Sequence, residues 1–308
     1  MGGDASVRFV DDRGRERAEA IARAAENEAF RIERKFSRFR DDSVVSEIGR
    51  AAGKTAVPVD DETAALVEAA LDLARLTGGR FDPTVGVLRR AWNFREERVP
   101  GDDEIAALLP LVNYRAVSVG GSAVFLEREG MELDLGGVGK EYAVYRVAEL
   151  LGSRGVTSAL LNFAGDVRTI GGRGDGRPWS IGVSDPRAPG QCRFAVRLIG
   201  GAGVATSGDY ERCFVKDGVR YHHLLDATTG WPARENMAAT VVAADAFTAG
   251  RVATAAFLLG PREGVDLIER MPHVEGCVID ATGATASTTG MGRISNLPGS
   301  LFAAYPAL

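Results

Sequence analysis

Glu132-Leu133-Asp134-Leu135-Gly136-Gly137-Val138-Gly139-Lys140 is the stretch from which the rest of the chain is read. Residues 132–135 predict a strand, the glycines a tight loop, and residues 141–151 a helix. Glycines let backbone amides come close to an anion. A helix N-terminus adds roughly half a positive charge, and Lys140 adds a full one. The spacing is neither that of a Rossmann dinucleotide turn nor that of a nucleoside-triphosphate P-loop, and an ordinary tight turn would use the same glycines.

Toward the N-terminus, residues 6–10 predict a strand. Residues 16–35 predict a long helix, with Ile21, Ala24, Ala25, Ala29 and Ile32 at helical spacing. Phe36-Ser37-Arg38-Phe39 then sets a serine between aromatics on a loop. Residues 60–77 form a second expected helix, stopped by Gly78-Gly79. A loop of Phe81-Asp82-Pro83-Thr84-Val85-Gly86 follows, then a short helix over 103–109 and a hairpin of 116–119 with 123–126.

Toward the C-terminus, residues 159–163 read as a buried strand ending at Gly165-Asp166. Residues 179–183 and 194–199 read as strands. Residues 203–206 lead into Ser207-Gly208-Asp209-Tyr210-Glu211-Arg212, and a hairpin around Asp217-Gly218 brings the chain to His222-His223. A strand over 239–244, a helix over 246–259 and a last strand over 276–280 complete the pattern. The fold class is α/β, with an α+β mixture equally compatible. Length allows one large domain or two lobes, and with no Pro/Gly/Ser linker any lobes must be interwoven.

Composition narrows the function classes. Hydrophobic residues make up 45%, charged residues 26%, and the net charge is −5. With no dense run of Lys or Arg, nucleic acid is not expected as a partner. No stretch reaches the ~20 apolar residues of a membrane span. Residues 1–10 lack a basic segment followed by an apolar one, so a cytoplasmic location is expected, or a periplasmic one if a leader has been removed. Cys192, Cys213 and Cys277 have no metal-ligand spacing and read as core or half-buried thiols.

Further loops could carry chemistry. Asn162-Phe163-Ala164-Gly165-Asp166 lies at a strand end, where ligands of open sheets often sit. The hydroxyls of 206–207 and Arg212 could grip phosphate. Adjacent His222 and His223 in an extended segment point to opposite faces, so they cannot easily share one metal, and one is expected to donate to a ligand. No nucleophile elbow and no zinc-type cluster is present in the sequence.

In this order, several segments resemble the ApbE family, the FAD:protein FMN transferases. They are residues 36–39, 77–86, 134–144, Asn162 with Gly165-Asp166, residues 205–212, 222–226 and 253–255; Met1-Gly2-Gly3 also resembles a family start. The resemblance covers nearly the whole chain, 1–308, as a single flavin-transferase domain. It implies two interwoven lobes with an FAD cleft between them. It also implies transfer of FMN from FAD to a Thr or Ser hydroxyl of an acceptor flavoprotein, with release of AMP and dependence on Mg²⁺. The implied FAD contacts are Ser37, Phe81, Asp82, Lys140, Asn162, Asp166, Ser207 and His223. The implied catalytic residues are His223 and Thr254, and the implied metal ligands are the Gly139 carbonyl and Thr254.

The sequence departs from the family pattern at a few places. Gly250 stands where the family has the Asp that binds metal, Glu141 where it has Gly, and Tyr145 where it has Asp. The spacing from 250 to Thr254 is kept on one helix face. Losing the carboxylate weakens the expected hold on a hard cation, and the alternative is an FAD-binding protein without transferase activity, with Arg251 or Lys140 replacing the metal's charge. Residues 280–287 also resemble a flavin acceptor motif centred on Thr285, although Thr, Gly, Ala and Ser suit the turn expected there.

Overall fold

A computed structural model describes residues 3–297, so Met1 and Gly2 of the family-like start lie outside the described residues. In chain order the elements are β1 (Ala5–Phe9), α1 (Arg15–Phe36), α2 (Val44–Ala51), β2 (Val57–Pro58), α3 (Asp61–Leu76), α4 (Asp102–Leu108), β3 (Val117–Gly120) and β4 (Ala123–Leu126). Then follow α5 (Gly139–Ser153), β5 (Ala159–Phe163), β6 (Asp166–Ile170), β7 (Trp179–Ser184), β8 (Cys192–Leu198), β9 (Gly203–Gly208), β10 (Cys213–Lys216) and β11 (Val219–His222). The last are β12 (Leu225–Asp226), β13 (Trp231–Pro232), β14 (Asn236–Ala243), α6 (Ala246–Leu259), α7 (Pro261–Glu269), β15 (Glu275–Asp280), β16 (Thr285–Ser287) and α8 (Met291–Ile294). The chain forms two compact units, one of residues 31–139 and 209–234, the other of residues 3–30, 140–208 and 235–297.

The first unit is built on a small antiparallel sheet in the order β2-β4-β3. Asp60 caps α3 by accepting from the Thr63 amide, and Gly79 closes the other end with its amide on the Ala74 carbonyl. Val67, Ala70, Leu71 and Ala74 bury the inner face of α3, as the spacing predicts. A second core gathers Trp92, Phe94, Phe214, Tyr221 and Trp231. Trp92 and Phe94 stack at 5.5 Å, Trp231 meets Trp92 edge-on at 5.2 Å, and the Trp92 indole donates to the Gly230 carbonyl. This aromatic group holds the late segment 209–234 to the early one.

Residues 132–135 do not form the expected strand. A single parallel bridge joins Glu132 to Val85, and the Asp134 amide donates to the Pro83 carbonyl. The alternation of Met131, Leu133 and Leu135 inward is real, but Gly86 lies so close that a Cβ there would come within 2.8 Å of the Glu132 carbonyl oxygen. That approach substitutes for a second strand.

The second unit carries a seven-stranded sheet in the order β1-β5-β6-β9-β14-β15-β16, every pair antiparallel. The fold is therefore the α+β form of the mixed class. A two-residue turn joins β5 to β6, with Ala164 at φ 49° and Gly165 at φ 93°, the geometry of a hairpin turn that needs positive φ at both residues. A side chain pays for that conformation at Ala164, at about 1 kcal/mol. β6 and α7 were not expected from the sequence, and neither was α2, whose N-cap Ser43 accepts from the Ser46 amide.

α6 packs across β9 and β14. It is buried nearly all round, with Ala246, Ala249, Ala253, Ala255 and Ala256 fully covered. Asp245 caps it, accepting from the Thr248 amide at 2.8 Å and the Thr248 hydroxyl at 2.9 Å. Among the described residues no helix is long and apolar enough to cross a membrane. Cys277 is buried and its thiol is pushed up to about 12 by burial, while Cys192 is exposed, unlike the core or half-buried placement expected. Asp245→Ala should cost about 1 kcal/mol of stability, read as a lower urea midpoint.

Candidate functional site

In the second unit, one constellation forms where α5 crosses α6. Tyr142 and Tyr145 of α5 pack on Phe247 of α6, with ring centroids 5.6 and 6.4 Å away. Tyr145 is thus a packing residue of this crossing. The crossing sets the first turn of α5 against Gly250, where a Cβ would fall 2.0 Å from Glu141 Cγ. Glu141 fills that space and is only 5% exposed.

Asp166 opens β6 directly after the strained turn and is 2% exposed. The Lys140 ammonium lies 3.0 Å from Asp166 Oδ2 and 3.4 Å from the Ala164 carbonyl oxygen. Burial raises the Asp166 carboxyl well above the ordinary carboxylate range. The neighbouring Glu141 charge and a hydrogen bond with Glu141 raise it further, and Lys140 only partly opposes this. The turn 162–165 is tied by the Gly165 amide donating to Asn162 Oδ1 at 2.9 Å.

Thr254 lies one helical turn beyond Gly250, 5% exposed, with its hydroxyl 3.1 Å from that of Ser207 on β9. Ser207 therefore faces α6, while neighbouring Thr206 turns the other way and meets Thr240 at 2.9 Å. Arg251 lies over the Phe247 ring at 5.0 Å. Of the implied residues, Lys140, Asp166, Ser207 and Thr254 all lie on the elements around this crossing, and Gly139 is the first residue of α5. Sequence reasoning did not assign Glu141 a role. Its only early signal was the paired change of Gly for Asp at 250 and Glu for Gly at 141.

Among the described residues, no three His, Cys, Asp or Glu side chains converge on one metal position. Mg²⁺ does not require that: one or two carboxylates with hydroxyl, water and phosphate oxygens suffice. The oxygen-only donors here, and the Glu141 Oε2 atom buried with no hydrogen-bond partner, fit a hard cation.

In the first unit, Ser37 follows α1, and its hydroxyl accepts from the Phe39 amide at 3.3 Å. Phe39 is exposed. Arg38 reaches Asp134 at 3.0 Å, joining the serine loop to the glycine segment. Phe81 is buried against Gly137, where a Cβ would come 2.6 Å from its ring, so this glycine makes room for an aromatic edge. Asp82 is buried too. Thr84 donates to its Oδ1 from amide and hydroxyl at 2.8 and 2.6 Å, and the Tyr114 amide donates to Oδ2 at 2.7 Å. His222 is buried on the Ala233 carbonyl at 2.7 Å, and His223 is half-buried with its amide on the Arg212 carbonyl. The structure places Ser37, Phe81, Asp82 and His223 in this unit.

Asp82 shapes its loop, and Asp82→Ala should destabilise the protein by roughly 2–4 kcal/mol by orphaning buried donors. Burial outweighs those donors and holds the Asp82 carboxyl above its ordinary value of 3.8. Its raised affinity for a proton therefore favours the fold fully below that value, and the advantage is lost as pH rises through the folded-state value. Urea unfolding at several pH values should show a flatter profile for Asp82→Asn over that rise.

Known proteins resemble this chain over most of its length. The model of the ApbE family matches residues 1–278. An FAD:protein FMN transferase of Treponema pallidum is 35% identical over 285 residues, covering 85% of this chain and 79% of that one. Another from Klebsiella pneumoniae is 32% identical, covering 78% and 76%. The crystal structure of the ApbE protein of Thermotoga maritima superposes with a TM-score of 0.84 at 37% identity, covering 92% of this chain and 94% of that one. The flavin transferase ApbE of Vibrio cholerae gives 0.83 at 26% identity, covering 96% of each. Family match, relatives and fold agree over most of the sequence, and the chain belongs to the ApbE family.

Proposed function

We propose that the protein is an FAD:protein FMN transferase, moving FMN from FAD to a Thr or Ser hydroxyl of an acceptor flavoprotein and releasing AMP. The observation that carries this is the grouping around α5 and α6 of an ammonium, two carboxyls and two hydroxyls, in a chain of the ApbE family. Such a set suits a pyrophosphate and its counter-ion.

In this reading Mg²⁺, when bound, neutralises charge on the pyrophosphate oxygens. Thr254 and the Gly139 carbonyl are its proposed ligands. Lys140 offers a fixed positive charge to a phosphate oxygen, held in place by Asp166. Ser207 and Asn162 orient FAD by hydrogen bonds, and Ser37, Phe81 and Asp82 belong to loops proposed to shape its binding. The acceptor hydroxyl oxygen forms the new bond to the FMN phosphorus as the anhydride bond to AMP breaks. The hydroxyl proton passes to His223, whose imidazole suits that transfer near neutral pH. Arg251 is engaged with Phe247, so the structure gives no support to its acting in place of the cation.

Incubation with FAD, Mg²⁺ and a Thr-containing acceptor should release AMP and add one FMN to the acceptor. His223→Ala should slow AMP release by roughly 10²–10⁴-fold. Thr254→Ala should raise the Mg²⁺ concentration needed by roughly tenfold or more. Bound FAD without AMP release under any Mg²⁺ concentration would count against the transferase reading.

A further inference from the structure

Glu141 is the buried group around α5 and α6 that the proposed chemistry leaves without a task. Its carboxyl is enclosed by α6 backbone at Gly250 and by Asp166, and Oε2 has no hydrogen-bond partner. A carboxylate oxygen kept from water and from donors is unfavourable unless a positive charge meets it. Lys140 is paired to Asp166 Oδ2 at 3.0 Å and makes no hydrogen bond to Glu141 Oε2. One helical turn along α6 stands the Thr254 hydroxyl, with that of Ser207 beside it. Glu141 on α5, Thr254 on α6 and Ser207 on β9 are hard oxygen donors of the kind a divalent cation takes.

The geometry points to Glu141 as the protein carboxylate that ligates the divalent cation, entering from α5 through the gap left by Gly250. This deepens the flavin-transferase reading and rests on it. Its physical content is a relocation. The carboxylate absent from α6 at position 250 is supplied by α5, and the two positions are sterically exclusive. With Glu141 in place no side chain fits at 250, because even a Cβ would lie 2.0 Å from Cγ and 3.0 Å from both Cβ and Cδ of a buried residue. The conflict falls on the middle of a buried side chain and not on its free end, so relieving it means moving Glu141 out of its place.

The test uses the full chain and Mn²⁺, which is read directly by the loss of its free electron paramagnetic signal, titrated with and without saturating FAD. Wild-type protein should bind Mn²⁺. Glu141→Gln should weaken binding roughly tenfold or more, while Glu19→Gln, an exposed substitution on α1, should leave it unchanged. Gly250→Asp alone should lower the melting temperature. The double variant Glu141→Gly/Gly250→Asp should recover both thermal stability and Mn²⁺ binding, a coupling that neither single change predicts.

Two results would overturn the inference: Glu141→Gln titrating like wild type, or no Mn²⁺ binding by wild type in either condition. AMP release measured on the same samples keeps the two readings apart. Release that persists while Glu141→Gln binds Mn²⁺ normally removes Glu141 from the cation and leaves flavin transfer standing. Mn²⁺ binding that depends on Glu141 with no AMP release removes the transfer and leaves the cation site.

Discussion

The first turn of α5 can lie against α6 as it does only because α6 carries no side chain at Gly250. The approach determines what the first turn of α5 can do. Glu141 is pressed out of water against α6, Lys140 is directed to Asp166, and the aromatic contacts of Tyr142 and Tyr145 with Phe247 keep the crossing from opening. A longer residue at 250 would force α5 outward or turn Glu141 away, and either movement would scatter the charged groups. The small residues along α6 serve the same end, because they let the helix lie low on β9 and bring Thr254 within reach of Ser207.

Electrostatics at this crossing follow from exclusion of water. Asp166 would be an ordinary carboxylate on a surface. Here burial dominates, the neighbouring carboxyl adds to it, and Lys140 opposes it. Asp82 in the other unit is also buried and raised, but three internal donors converge on it and fix its loop. The two buried aspartates differ in whether the fold supplies donors or a second acid.

Much of this was legible in the sequence because it is local. The helix over 246–259 and the strand over 159–163 were read with the bounds the structure has, since each carries a continuous apolar pattern between clear stops. Lys140, Asp166, Ser207 and Thr254 were named from motif positions, and the structure places all four on elements around one crossing. The failures are tertiary. Residues 132–135 alternate as a strand should, yet they find a glycine instead of a partner. α2 is eight residues long and relies on its Ser43 cap and its packing, so periodicity alone passes over it. β6 follows a turn that places Ala164 at positive φ, which no propensity favours. Glu141 was seen only as a departure, because its meaning depends on contact with a residue on a distant helix.

The pairing of β1 with β5 has a consequence for how the chain assembles. Ala5 lies opposite Phe163 and Phe9 opposite Ala159, so the first strand meets its neighbour across about half the polypeptide. Closing so long a loop carries an entropic cost that grows only slowly with length, roughly as its logarithm, but the encounter must wait until residues far downstream exist. As the chain leaves the ribosome, the amino-terminal strand stays unmatched while the whole of 31–139 emerges. Its edge is available to other chains throughout that interval. The early strand has only Val7 and Phe9 turned partly inward and exposed residues between, which makes it a poor template for aggregation during the delay.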